Sequence, residues 1–325
     1  MVGSSNHRQN NLYYRYINHN NRIMQPTVYK EAVSFSINDV KDKQDPTRVL
    51  MCSPDYFDIV DVKNVHMEGH IGNTDKALVN AQWQSLKQVY DGLQANGVLD
   101  EVSVIAGAQG CEDMVFCANQ TFPWQMEDGS EVVVMSKMRH ESRQREVPHF
   151  EAFFAAKGFK PLHFKDAKMF EGMGDVIPHP EKRLLYGGYG HRTSAEAYTE
   201  LAAMLQTPVV ALELVNPKFY HLDTCFVPLS VNSVMLCKEA FSPQGLQMIQ
   251  QLFSQVYYIP EQEAEDYFSL NAHAFKAHGV KTAILQYGST HTVAALKQEG
   301  YNVVEIDTRE FMKSGGSVFC MKMMY

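Results

Sequence analysis

The sequence predicts an α/β fold in which five strand–strand–helix–strand units share a core as a ring. Three observations carry that expectation. The chain has 325 residues and is 45% hydrophobic, enough to bury one full-sized core. One order of elements recurs along it: two short apolar runs, an amphipathic stretch, then a closing run. The recurrence leaves no half-unit over, so a ring with helices outside and strand ends converging on an axis accounts for it better than an open doubly wound sheet.

The elements follow in order. VLMCSP (49–54) is the first strand. Leu78, Trp83, Leu86, Val89 and Leu93 recur at helical spacing between Lys76 and Gln94, and VSVIAG (102–107) is the next strand. The second unit runs MVFCAN (114–119), VVVMSK (132–137), a helix over 143–157, then PLHF (161–164). The third runs KMFEG (168–172), RLLYGG (183–188), a helix opening at Thr193 or Ser194, then PVVALEL (208–214). Thr193 three residues before Glu196 has the capping-box spacing. The fourth runs FYHLDTCFV (219–227), SVMLC (233–237), a helix from Pro243 to Phe253, then VYYIP (256–260). The fifth runs SLNAHAF (269–275), TAILQY (282–287), a helix over 290–299, then NVVEID (302–307). A last strand, SVFCMKM (317–323), closes the chain.

Composition removes several function classes. Lys and Arg number 29 against 37 Asp and Glu, a net charge of −8 and no basic surplus for nucleic acid. No apolar run approaches the ~20 residues of a membrane helix. The six cysteines (Cys52, Cys111, Cys117, Cys225, Cys237 and Cys320) form no C-x-x-C pair, so they read as reduced thiols of a cytoplasmic protein. The start, MVGSSNHRQNN, lacks the apolar stretch of a secretory signal. Residues 1–30 carry Arg8, Arg15, Arg22 and Lys30 and no acid, which also fits an organelle transit peptide. Their Asn-rich, non-amphipathic texture favours a polar, poorly ordered extension over 1–46 ahead of a catalytic domain over 47–325.

Three segments concentrate reactive groups within apolar surroundings: FEGMGD (170–175), FYHLDT (219–224) and GGSVFC (315–320). A nucleophilic enzyme needs a thiol or hydroxyl, a base, and a group that orients the base. Cys320, His221 and Glu171 supply those parts. Alone, a cysteine or histidine in such a run is more often buried core. Their joint placement at corresponding strand ends raises them to candidates. His66 and His70 in HMEGH have the spacing of a zinc pair but sit in a loop pattern without the H-E-x-x-H order.

FEGMGD, GYGHRTS (188–194), YHLDT and the near-terminal GGSVFC, in that order, resemble the guanidino-group-modifying (pentein) superfamily of arginine deiminases, dimethylarginine dimethylaminohydrolases, succinylarginine dihydrolases and glycine amidinotransferases. The resemblance covers roughly residues 48–325 and implies a five-bladed α/β propeller. It implies Cys320 as nucleophile, His221 as general acid/base and Glu171 as the acid of an E-G-G-D motif. Met173 interrupts that motif here, so the division of roles between Glu171 and Asp175 stays open. It implies that Asp223 and Asp113 bind the guanidinium and that Arg192 binds the substrate α-carboxylate. Residues 221 and 223 share a face if their segment is a strand. Asn119 in EDMVFCANQ stands where deiminases carry Asp, which argues against plain arginine deiminase. Lys137, Arg139 or Arg143 in SKMRHESRQRE supplies a second basic group.

The function so implied is cysteine-dependent hydrolysis of a guanidinium through a covalent thiouronium, without metal or organic cofactor. An amine in place of water would make the same site an amidinotransferase. A binding module on the same scaffold is the non-enzymatic alternative. The expected partner is a small guanidino compound, with no nucleic acid and no membrane; self-association stays open.

Overall fold

The computed structural model describes residues 25–325, and these adopt a mixed α/β fold. Their strands form five separate sheets, four of three strands and one of four. The first unit holds β2 (Arg48–Cys52), α1 (Lys76–Ala95) and β3 (Glu101–Ile105), preceded by a short β1 (Val28–Tyr29). The second holds β4 (Thr121–Gln125), β5 (Glu131–Met135), α2 (Glu141–Gln144), α3 (Val147–Ala156) and β6 (Lys160–Leu162). The third holds α4 (Gly172–Asp175), β7 (Val176–Pro178), β8 (Leu185–Tyr189), α5 (Ala197–Leu205) and β9 (Val209–Glu213). The fourth holds β10 (Phe226–Pro228), β11 (Ser233–Leu236), α6 (Pro243–Leu252) and β12 (Gln255–Tyr258). After α7 (Glu261–Asp266) the fifth holds β13 (His273–Ala277), β14 (Val280–Gln286), α8 (His291–Gln298) and β15 (Asn302–Ile306). The chain ends through α9 (Arg309–Met312) and β16 (Met323–Met324).

Each sheet repeats one pattern. A middle strand pairs antiparallel with one neighbour and parallel with the strand that follows the helix. The first unit lacks a leading strand of its own. β16 supplies it, with Met323 opposite Leu50 and Met324 opposite Val49. The closing run of the sequence therefore completes the opening one.

The structure corrects where the leading strands begin. MVFCAN, KMFEG, the start of FYHLDTCFV, the start of SLNAHAF and most of SVFCMKM are turns, and each strand starts after them, at Thr121, Val176, Phe226, His273 and Met323. The reason is that these segments direct their polar groups at one another rather than along a sheet. Ala118 N donates to Cys320 O (3.1 Å) and Met173 N to Ala118 O (2.8 Å). Leu222 N donates to Asp175 Oδ1 (3.1 Å), Asn271 Nδ2 to Asp223 O (3.1 Å), and Phe319 N to Asn271 O (2.9 Å). The five segments are thus joined in succession.

Gly172 makes one of these approaches possible. Its φ of +49° is left-handed, and a Cβ there would collide with the carbonyls of Thr121 and Asn119. α1 buries Val79, Trp83, Leu86 and Tyr90, while Leu78 is 47% exposed, so the apolar stripe is rotated by one residue from the expected one. α5 starts at Ala197 without a side-chain cap, because Thr193 Oγ1 donates to Asp175 Oδ2 (2.7 Å) instead. α6 does open on Pro243, capped by Ser242.

Residues 25–46 lie against the fold. β1 joins the edge of the third sheet beside β9, Ile37 and Val40 are buried, and Asp42 bridges to Lys182. Residues 1–24, the bulk of the expected polar extension, lie outside the described residues. Among the described residues no helix is long and apolar enough to cross a membrane.

Candidate active site

The turns ahead of the leading strands bring most of the candidate residues together. Glu171 is the pivot of one group. Its Oε2 accepts from His221 Nε2 (2.8 Å) and from Arg192 Nη1 (2.9 Å), and its Oε1 from the backbone of Arg139 (3.0 Å). Cys320 is the pivot of the other. Its thiol donates to Asp223 Oδ2 (3.1 Å), and Asn271 Nδ2 donates to the sulfur (3.2 Å). Cys320, His221, Glu171, Asp223 and Asn271 are each 2% exposed or less.

His221 and Asp223 do not share a strand face. His221 precedes a 3-10 turn over Leu222–Thr224, closed by Thr224 Oγ1 donating to His221 O (2.7 Å). The turn sends His221 toward Glu171 and Asp223 toward Cys320. Glu171, not Asp175, partners the histidine. Asp175 has both oxygens engaged, by Thr193 Oγ1 and Leu222 N, and burial pushes its pKa well up. It ties two turns together. The inserted Met173 extends FEGMGD into the helical turn α4.

Burial dominates the electrostatics. It lowers His221 to about 4 despite the opposing pull of Glu171. Burial also opposes the charge on Glu171, but Arg192 and His221 outweigh it and hold the carboxyl far below its ordinary range. Burial and the neighbouring Asp223 raise the Cys320 thiol well above 9. Asp223 rises to about 7 through burial, partly offset by the Cys320 hydrogen bond and Lys322. At neutral pH the resting pair is therefore a thiol and a neutral imidazole. With Nε2–H given to Glu171, His221 Nδ1 carries a lone pair.

Cys320 lines a narrow cavity together with Asp113, Asn119, Arg143, Arg192 and Lys63. Asp113 pairs with Lys63 Nζ (3.1 Å) and accepts from Ser314 Oγ (3.3 Å). Arg143 is the basic residue of 136–146 that reaches this cavity; Lys137 bonds Lys165 O and the Arg139 side chain bonds His191 O, both near the surface. Arg143 Nη1 donates to Asn119 Oδ1 (3.0 Å) while Glu146 holds its other edge (3.1 Å). The Asn119 oxygen is thereby occupied, and its NH₂ is the free end. Arg192 gives Nη2 to Lys63 O (3.0 Å) and lies over the Tyr220 ring (4.8 Å). Three of the candidate residues each keep a buried polar atom with no partner among the described residues: Asn119 Nδ2, His221 Nδ1 and Asp223 Oδ1. His66 sits on a 3-10 turn with Nε2 on Lys218 O (2.9 Å), and no group of three or more metal-ligating side chains occurs among the described residues.

Asn271 escaped the sequence reading. Its Oδ1 accepts from the backbone of Ser317 (2.9 Å) and Cys320 (3.2 Å), while its Nδ2 reaches the sulfur. The available signal was positional. Four leading strands are preceded by a site residue, and SLNAHAF offers Asn271 in the fifth. Because its N–H stabilises a thiolate, Asn271→Ala should slow turnover about 10²-fold and move the pH profile of Cys320 alkylation by iodoacetamide to higher pH. An unchanged alkylation profile in folded variant would reduce Asn271 to a structural tie.

Residues 53–324 match the family described as N,N dimethylarginine dimethylhydrolase, eukaryotic. The bifunctional arginine dihydrolase/ornithine cyclodeaminase ArgZ of Synechocystis sp. is 33% identical over 280 residues, 85% of this chain and 37% of that protein. The N(G),N(G)-dimethylarginine dimethylaminohydrolase of Mycobacterium tuberculosis is 31% identical over 273 residues, 84% of this chain and 84% of that protein. The crystal structure of the N-terminal domain of ArgZ, an arginine dihydrolase bound to substrate, is similar with a TM-score of 0.77 and 32% identity over 85% of this chain and 97% of that one. This chain thus spans 37% of the length of the whole cyanobacterial relative.

Proposed function

The chain belongs to the N,N-dimethylarginine dimethylhydrolase family, and from that premise we propose that it is a cysteine-dependent hydrolase of the guanidinium group of arginine or an arginine derivative. The observation that carries this reading is the set of unpartnered buried atoms around Cys320: a carboxylate oxygen on Asp223, a lone pair on His221 and an amide NH₂ on Asn119. A planar cation meets Asp223 through charge-assisted hydrogen bonds. The five similar sheets and the hydrogen bonds that join their leading turns support a five-bladed propeller; the proposed catalytic domain over 47–325 carries β1 as an added edge strand.

In the proposed mechanism the arriving cation favours the thiolate of Cys320 and offsets its high resting pKa. The sulfur attacks the central guanidinium carbon and a C–S bond forms. His221, having taken up the thiol proton, passes it to the departing nitrogen as the C–N bond breaks. A thiouronium remains on Cys320. His221 then takes a proton from water, whose oxygen attacks the same carbon and releases the thiolate. Glu171 holds the imidazole and stabilises its cation.

Asn119 favours a second hydrolysis at the same carbon. Its oxygen is taken by Arg143, so it can only donate toward the cavity. A guanidinium offers donors alone, whereas the ureido product of the first hydrolysis offers an oxygen that accepts. The similarity to an arginine dihydrolase supports this reading. The test is mass spectrometry after incubating the protein in H₂¹⁸O with arginine or N,N-dimethylarginine. Labelled citrulline, or ornithine with labelled CO₂, is expected. Amidino transfer to an added amine without ¹⁸O uptake would replace hydrolase by transferase. No turnover and no Cys320 adduct would leave a binding module.

A further inference from the structure

A second cavity, about 380 Å³ and much larger than the cleft at Cys320, opens elsewhere in the molecule, and no residue lines both. Its wall is mainly apolar, with Phe226, Phe319 and Met324 among the lining side chains. The proposed chemistry makes no use of it.

Four lysines line this cavity: Lys43, Lys276, Lys281 and Lys322. Three have a carboxylate: Lys43 pairs with Asp45, Lys276 with Glu181 (2.7 Å) and Lys281 with Glu299 (3.9 Å). Lys322 has none within ion-pair distance among the described residues, though Asp223 of the Cys320 site attracts it from further off. It is 0% exposed, and its Nζ rests 3.1 Å from the Phe319 ring centre and 3.9 Å from Met173 Sδ. An ammonium buried without a contacting anion is strongly disfavoured by lost solvation. Burial lowers Lys322 to about 7 against the pull of Asp223, Cys117 and Cys320, so an arriving anion would restore its charge.

A second donor faces the same space. His273 also lines the cavity, is 2% exposed, and has Nδ1 2.9 Å from the Tyr90 hydroxyl. Tyr90 is buried and stays protonated, so its O–H donates to Nδ1 and leaves Nε2–H as a donor. That Nε2 has no partner among the described residues. The Phe319 ring lies against both groups, its centre 6.4 Å from that of His273.

We propose that this cavity binds a small amphiphilic carboxylate, with its charged end at Lys322 and His273 and its apolar body along the Phe226 and Met324 wall. An uncharged molecule of the same shape would leave both donors without an acceptor, so the site should discriminate by charge.

Octanoate and octanamide have the same length and differ in charge, and isothermal titration calorimetry on the full chain compares them. Octanoate should bind saturably at one site, at least tenfold tighter than octanamide, and with undiminished affinity under saturating arginine. Lys322→Met should weaken octanoate at least tenfold and leave octanamide unchanged. Equal affinities, absent saturable binding, or displacement of octanoate by arginine would each overturn the proposal. If Lys322→Met does not fold, the wild-type comparison and the arginine competition decide the matter by themselves.

Discussion

Cys320→Ser should lower turnover of the guanidino substrate by about 10⁴-fold or more while leaving the fold intact. A serine hydroxyl can still donate to Asp223 Oδ2 and accept from Asn271 Nδ2, the two contacts the thiol makes. What disappears is a sulfur that ionises when a cation arrives. Product formation by mass spectrometry and thermal unfolding of the same preparation check both halves. Residual turnover above about a hundredth of wild type in folded variant would place the nucleophile elsewhere. Cys117 and Cys225 are poor substitutes, since neither lines the Cys320 cleft and their thiols donate to the Leu50 and Leu222 carbonyls.

Glu171→Gln should damage both stability and catalysis. The carboxylate is fully buried and pairs with a buried Arg192 and with His221. An amide keeps the shape but leaves the guanidinium as an uncompensated buried cation, which costs about 3–5 kcal/mol. Turnover should fall about 10²–10³-fold, because the imidazolium formed during leaving-group departure loses its counter-charge. The pH dependence follows from the sign of the shift. Glu171 is held below its unfolded pKa, so its contribution is complete above about pH 4.3 and is lost as pH falls through the folded value. Urea unfolding should show the largest gap between wild type and variant near neutrality and a narrowing gap under acid. A gap that is constant from pH 7 to pH 3 would mean that the charge on Glu171 is not what stabilises the fold.

The candidate site was legible in the sequence to the extent that its chemistry is carried by residue type. Cys320, His221 and Glu171 stand out because reactive side chains interrupt apolar runs. Their mutual geometry was less legible. The strand reading of FYHLDT put residues 221 and 223 on one face, whereas the turn at Leu222–Thr224 points them at different partners. Thr193 looked like a helix cap, yet it bonds Asp175 and accepts from the backbone of Glu171. The motif leaves the roles of Glu171 and Asp175 open, and both Asp175 oxygens are taken by the protein. In each case the local pattern was compatible with two hydrogen-bond partners, and only a distant segment chose between them.

The same division runs through the whole molecule. The alternation of strand and helix is readable from the chain, because hydrophobic period is a property of neighbouring residues. So is the inventory of acids, bases and thiols. Long-range packing decides that β16 completes the sheet of β2, that Asn271 holds Cys320 and its backbone, and that Lys322 is buried with no carboxylate in ion-pair reach among the described residues. These outcomes join residues far apart in the chain, and they turn on which buried polar group finds a partner. That is settled by packing in three dimensions, where an unsatisfied donor is costly, and not by any spacing along the sequence.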